Sequence, residues 1–274
     1  MRAARYFAAL WCATIITGCA REAKLTSAQA TAKGDALLRK MSHTLATAQA
    51  FSFTADQMRE HVRDNGTKTQ ERFSRHITVR RPDALAYTDS GDRGGAAWYD
   101  GKSVTMVSNR DKAWARGPIP ATLDEAMDFV SAEYAIQLPM ADLLYSNPYD
   151  ALMTKDTTGG WVDAVQIGDR TCDHLSYSQP VVDWQVWLTE DDRALPCQLE
   201  ITYKTEKAKP VTRVVFHDWN PDAKVSDDTF AAKVPDGFQR IKMMRHVTVV
   251  DPNLDETAPA AAKKGQPAAS KQPR

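Results

Sequence analysis

The chain is 274 residues long and carries 35 Lys+Arg against 35 Asp+Glu, so it is formally neutral. That length supports a full hydrophobic core, a mean hydropathy of −0.47 excludes a membrane-embedded channel or transporter, and the charge balance lacks the basic excess of a nucleic-acid binder. Hydrophobic residues at 43% and charged residues at 26% exclude collagen-like and fully disordered chains, and leave seven tryptophans to be placed in a globular fold.

At the N-terminus, Arg2 and Arg5 precede an apolar run from Tyr6 to Ile16, the arrangement of a secretory signal. The run is too short to span a bilayer, which takes about 20 apolar residues. Ile16-Thr17-Gly18-Cys19 resembles the lipobox of bacterial lipoproteins, which implies removal of residues 1–18 and acylation of Cys19. Ala20 in place of aspartate implies sorting to the periplasmic face of the outer membrane. The mature chain is then held at the membrane by its lipid anchor without spanning it, because several acyl chains attach stably where one is marginal. Residues 19–30 read as a polar linker.

From residue 31 to about 250 the pattern is that of one domain. Leu37, Leu38, Met41, Leu45 and Ala48 recur at helical spacing. Alternation then takes over in Phe51 to Ala55, and Asp64-Asn65-Gly66 signals a hairpin before Phe73 to Val79 alternates again. Further turn chemistry at Gly91-Asp92-Arg93-Gly94-Gly95, Asp100-Gly101 and Asn109-Arg110-Asp111 separates short strands. Thr122-Leu123-Asp124-Glu125 reads as a capping box opening a helix with the stripe Leu123, Met127, Val130 and Tyr134. One or two short helices follow between Pro139 and Met153. Strands resume at 161–167, 170–178, 182–189, 195–204 and 211–219. Residues 251–274, rich in Ala, Pro, Lys and Gln without apolar period, read as a disordered tail. The fold class is therefore mainly β with some α: an incomplete antiparallel half-barrel of about ten strands, since a twisted sheet of that width curls, with helices covering one face.

Alternation puts Trp184, Val186 and Leu188 on one face of their strand, with Cys197, Leu199, Ile201 and Tyr203 offered by the next. Such side chains either line a concavity or simply fill a core. Export into an oxidising compartment favours a bridge between Cys172 and Cys197. A meander, however, would leave the pair about 10 Å apart across an intervening strand, beyond the roughly 4.4 to 6.8 Å between α-carbons that a bridge takes. A disulfide and two buried thiols both stand at this level.

Val79-Arg80-Arg81-Pro82-Asp83, Asp100-Gly101-Lys102, the Trp-rich strand at 183–188, Leu195-Pro196, Leu199-Glu200-Ile201, Asp228-Thr229-Phe230 and Val234-Pro235-Asp236-Gly237 follow in an order that resembles the LolA/LolB superfamily of lipoprotein-localisation factors. The resemblance covers about residues 35–242, and is closer still to a group of predicted periplasmic proteins of unassigned function on the same scaffold. It implies a helical lid over an apolar cavity for a lipid, an acyl chain or a lipidated protein. The residues expected to line that cavity are Tyr99, Val104, Met106, Trp114, Leu143, Leu144, Trp184, Val186, Leu188, Leu199, Ile201 and Phe216. Arg81 matches the arginine that bonds the lid in those factors and holds it closed. The projecting apolar loop of the membrane receptor has no counterpart in Gly91-Asp92-Arg93-Gly94-Gly95. Relatives that sense envelope stress by binding lipid and a protein partner supply an alternative reading.

No enzyme signature is found: the six histidines form no metal-binding pair flanking a glutamate, and neither a phosphate loop nor a nucleophile elbow occurs. Only Cys172-Asp173-His174 clusters chemistry-bearing residues, as a thiolate beside an imidazole or half a metal site, against a buried thiol beside a surface histidine. No catalytic residue, metal or cofactor is expected. The anchor is tested by Cys19→Ser, which should move the protein from the detergent phase to the aqueous phase on phase partitioning, or leave it uncleaved, with the domain still folded. Equal aqueous partitioning of both forms would remove the lipoprotein assignment.

Overall fold

The computed structural model of the protein describes residues 25–90, 94–134, 136 and 140–243. Cys19 with the signal segment, Gly91-Asp92-Arg93, Pro139, His246 and the tail from residue 251 lie outside the described residues.

Helix α1 (Ser27–Thr47) begins inside the stretch expected to be linker, because Thr26 and Gln29 form a capping box that satisfies its first turn. Its buried stripe is Leu38, Met41 and Leu45, with Gly34 and Ser42 beside it. Strands β1 (Ala50–Val62) and β2 (Lys68–Arg80) then form a long hairpin, the left-handed Gly66 supplying the turn. The meander continues through β3 (Ala84–Asp89), β4 (Gly95–Tyr99), β5 (Ser103–Ser108) and β6 (Ala113–Pro118). Helix α2 (Leu123–Tyr134), capped by Thr122 and Glu125 as expected, a 3-10 turn at Ala141–Leu143 and α3 (Pro148–Leu152) interrupt it. A second meander follows: β7 (Thr158–Ile167), β8 (Arg170–Ser178), β9 (Val182–Thr189), β10 (Pro196–Tyr203) and β11 (Val211–Asn220). Helix α4 (Asp227–Phe230) and β12 (Gln239–Arg240) close the described chain.

All twelve strands form one open sheet in the order β12-β6-β5-β4-β3-β2-β1-β11-β10-β9-β8-β7. The two meanders join where β11 returns antiparallel to β1. Every pairing is antiparallel except β12 with β6, a two-residue parallel contact too short to leave a periodic signal in sequence.

Strand alternation divides the side chains between two faces. Under the helices, Leu38, Met41 and Leu45 of α1 pack with Phe51, Phe53, Val79, Val186 and Phe216 in the main core. The opposite face of β3–β6 is covered by the segment around α4, where Phe230 packs on Ala84, Ala86, Trp98 and Val107. Arg80 and Arg81 separate onto these two faces. Arg80 is therefore not a solvated charge, since it donates to Asp227 at 2.5 Å and lies over the Phe230 ring.

Helix α1 reaches the sheet edge at β7 through two glycines. A Cβ on Gly34 would stand 2.7 Å from Tyr177 OH and 2.9 Å from Gly160 Cα, and one on Gly160 would stand 2.7 Å from the Ala30 carbonyl oxygen. Thr31 Oγ1 donates to the Gly159 carbonyl at 3.1 Å across the same contact. Ala at a helix-interior Gly position ordinarily gains about 1 kcal/mol. Here Gly34→Ala should instead destabilise by about 1–3 kcal/mol through overpacking, measured by denaturant melting. A variant as stable as wild type or more so would show that the helix can move off the edge.

Candidate ligand-binding site

Between α2 and strands β3–β5 lies an apolar crevice. The sheet contributes Leu85, Tyr87, Ala97, Tyr99, Val104 and Met106, the cover contributes Ala126, Met127 and Val130, and Ile119 and Ile136 complete it. Its volume is about 40 Å³, far below the roughly 300 Å³ of a typical ligand pocket, so it holds no chain as it stands. Burial pushes the Tyr99 phenol up to about 12, with the carboxylates of Asp83, Glu125 and Asp100 adding to it, so it is neutral at physiological pH. It donates to the Pro120 carbonyl at 2.8 Å. At the far end, Arg75 makes a two-pronged ion pair with Asp89 (2.5 and 2.8 Å) and lies over the Tyr87 ring.

The cover is only half packed. Of the residues in α2, Leu123 and Ala126 are buried, whereas Met127, Phe129 and Val130 are partly exposed against the core. Polar ties hold its first half. Leu123 N donates to the Pro82 carbonyl (2.7 Å), Ser146 N and Oγ donate to Asp124 (2.8 and 2.5 Å), and Tyr145 OH donates to Asp128 (2.6 Å). The segment 144–146 is in turn fastened by Arg81. Its Nε donates to the Leu45 carbonyl (3.1 Å), Nη1 to Leu144 (3.0 Å) and Nη2 to Tyr145 (2.8 Å). Leu45 lies in the last turn of α1, which has no basic residue of its own, so the guanidinium supplies both the donor and the positive charge that a helix C-terminus favours. Burial lowers the Arg81 pKa from its ordinary value while Asp124 opposes that shift.

The structure separates the residues expected to line one cavity. Tyr99, Val104 and Met106 do line the crevice. Leu143, Leu144, Trp184, Val186, Leu188, Leu199 and Phe216 are buried in the main core, and Ile201 packs at its margin, because α1, α3 and the 3-10 turn occupy the space above them. Trp114 lies on the opposite face. It pairs with Val107, packs in the cluster beneath α4 and carries Arg240 over its ring, as its even position on β6 dictates. Sequence reading overlooked Leu85, Tyr87 and Ala97. Their signal was cross-strand register, since Tyr87, Ala97 and Met106 stand in one row over three strands.

Cys172 and Cys197 form a disulfide with α-carbons 6.9 Å apart, not the 10 Å expected of a regular meander. The register of β9 and β10 shifts between Pro196 and Gln198, which frees Cys197 from the ladder and turns it from the face of Leu199 to that of Trp187. Bonded in this way, Cys172 is no thiolate. Its neighbour His174 stacks on Trp187 with ring centroids 4.4 Å apart and hydrogen-bonds Asp163 and Gln185. No cluster of His, Cys, Asp or Glu suited to a metal occurs among the described residues. At the β1–β2 hairpin end of the sheet lies a larger groove of about 510 Å³, polar and open.

The site is thus a small apolar crevice between an open sheet and a tied helix. The chain belongs to the family described as predicted periplasmic protein (DUF2092), whose model matches residues 34–244. No match to a curated protein was found. Among solved structures, a LolA superfamily protein from Nitrosomonas europaea is 13% identical, covering 73% of this chain and 98% of that one with a TM-score of 0.35. The Pseudomonas aeruginosa MucA/MucB complex is 15% identical over 73% of this chain and 61% of that chain, with a TM-score of 0.43. The Mycobacterium tuberculosis lipoprotein LppX is 12% identical over 70% and 98%, with a TM-score of 0.41. No helix among the described residues is long and apolar enough to cross a membrane.

Because Arg81 joins the end of α1 to the segment that ties α2, Arg81→Ala should speed hydrogen exchange across Leu123–Leu152 and lower stability by about 3 kcal/mol. Arg80→Ala should spare that segment and loosen residues around Phe230. Matching exchange profiles for the two variants would reduce Arg81 to an ordinary surface arginine.

Proposed function

We propose that this protein is a periplasmic binding module for an acyl chain, of a lipid or a lipidated polypeptide, tethered to the outer membrane through acylated Cys19. The observation that carries this reading is the pairing of an aliphatic and aromatic crevice with a cover that is only half packed along its length. A fully structural helix of this length would bury a continuous stripe. Here α2 turns Met127 and Val130 toward the crevice with part of each still in contact with solvent, which lowers the apolar cost of raising that part of the helix once the tie at Asp128 releases, while Leu123 and Ala126 stay buried at its start. Raised, it uncovers Leu85, Tyr87, Ala97, Tyr99, Val104 and Met106, a wall suited to methylene chains. The Arg81 contacts keep α1 and the 144–145 segment as the fixed frame against which α2 moves.

Under this reading Met106→Glu places a carboxylate in the crevice wall at a half-buried position, where it disturbs the fold little. An environment-sensitive acyl probe should bind wild type with a rise in its emission, and Met106→Glu should weaken that binding by at least about tenfold at nearly unchanged melting temperature. Val186→Glu serves as the contrast, since Val186 is 1% exposed in the filled core and its variant should unfold. Folded wild type that takes up no probe would return the crevice to a packing defect.

A further inference from the structure

The helix-covered face of the sheet changes character toward the end that carries the β1–β2 and β10–β11 hairpins. Along β1 its residues run Phe51, Phe53, Ala55, Gln57 and Arg59, aromatic near Arg81 and polar at the far end. One register row there reads Tyr177, Trp184, Ile201, Thr212 and Arg59 across β8, β9, β10, β11 and β1, with Gln57 in the adjoining row opposite Val214. In these two rows Tyr177 OH, Trp184 Nε1, Thr212 Oγ1 and Gln57 Oε1 are buried without a hydrogen-bond partner, and they are the four such side-chain atoms among the described residues. Their residues are 3%, 4%, 1% and 4% exposed. Each such atom has given up water for nothing, which native structures rarely tolerate. Two of the four, Thr212 opposite Arg59 and Gln57 two residues before it on the same face, adjoin one another and call for a common partner, whereas Tyr177 and Trp184 stack together beneath α1, three to four strands away.

Arg59, at the end of the first row, also lines the open groove of about 510 Å³, where Arg63, His61, Tyr203 and Lys207 stand with Glu60, Asp64 and Glu206. Two of the acids nearby are already engaged. Glu60 pairs with Lys68 (2.8 Å) and accepts from Val211 N, and Glu71, opposite Arg59, contacts His61 Nε2 at 3.1 Å. The guanidinium groups of Arg59 and Arg63 have no side-chain partner among the described residues.

From this we infer that the hairpin end of the face is a headgroup site, taking an amphiphile with an anionic head, a carboxylate or a phosphate. Arg59 and Arg63 meet the charge in the groove. Thr212 donates to an oxygen of the head, and Gln57 Oε1 accepts from a hydroxyl or amide N–H of the same head. The chain then points toward the Arg81 end, beneath α2. This inference rests on the acyl-chain reading and adds to it the class and the direction of the ligand.

The test compares dodecanoate with dodecanol, the same chain with and without charge, by calorimetric titration of the folded protein at neutral pH. Wild type should prefer dodecanoate by about tenfold or more, and the double variant Arg59→Gln, Arg63→Gln should lose that preference. Thr212→Val, which removes one orphaned oxygen at constant shape, should melt about 2–4 °C higher yet bind dodecanoate more weakly. Equal binding of the two ligands by wild type, or a preference that survives the double substitution, overturns the headgroup site and leaves the acyl-chain reading standing. Failure of both ligands to bind wild type overturns both.

Discussion

The structure depends on one half-buried cation that has no carboxylate of its own. Arg81 directs its guanidinium at the carbonyls of Leu45, Leu144 and Tyr145, while the carbonyl of the next residue, Pro82, receives the first N–H of α2 at Leu123. Two adjacent residues at the end of β2 thus hold three helical elements that are far apart in sequence. A planar fork with five donors suits this task where a lysine would not, because it reaches carbonyls on two elements at once. The ring of Phe51 beneath it, 5.5 Å from the guanidinium carbon, is the apolar floor on which the cation rests.

Seen from this point, the arrangement of the sheet follows. An open twelve-stranded sheet has two apolar faces and two edges to protect. One face takes α1, α2 and α3, and the other, over β3–β6, takes the segment around Phe230, held by Arg80. The β7 edge is protected by α1, whose approach is as close as it is because Gly34 and Gly160 meet there without side chains. The β6 edge receives β12. Neighbouring arginines of one strand end therefore secure coverings on opposite faces, a direct consequence of the two-residue period of a strand.

The sequence made local structure legible and left long-range filling unreadable. The stripe of α1, the Thr122–Glu125 capping box, the Asn65-Gly66 hairpin and the strand pattern all express periods and turn chemistry carried within a few residues. Arg81 was marked by the family resemblance, since the residues alone left it equally open as half of a solvated basic pair with Arg80, and its three carbonyl partners lie on elements far apart in the chain. The cavity was not legible. Whether Val186 and Leu199 line a space or fill one depends on how deep α1 and α3 sit, which is fixed by Gly34, Ser42 and Asn147 contacts more than 100 residues apart in the chain. The facing of Trp114 turned on strand parity in a segment with no clear alternation. That of Cys197 turned on a bulge, which shifts the parity of everything before it and brought two cysteines within bonding distance.

On the proposed function, the small crevice and the polar rows describe two ends of one energetic problem. As it stands the crevice holds no chain, so one enters only by displacing α2 and breaking the ties at Asp124 and Asp128. Those ties are worth several kcal/mol together. A buried methylene returns about 0.8 kcal/mol, so a chain must bury about six of them, roughly 5 kcal/mol, before opening becomes favourable. Shorter amphiphiles then fail for lack of apolar surface, whatever their head. The orphaned atoms of Thr212 and Gln57 act in the opposite sense, since they burden the empty protein and are relieved when a polar head meets them. Tail and head thus contribute by different means, the tail by offsetting the cost of opening and the head by removing a cost already present in the closed state, and a ligand that has both is selected over one that has either alone.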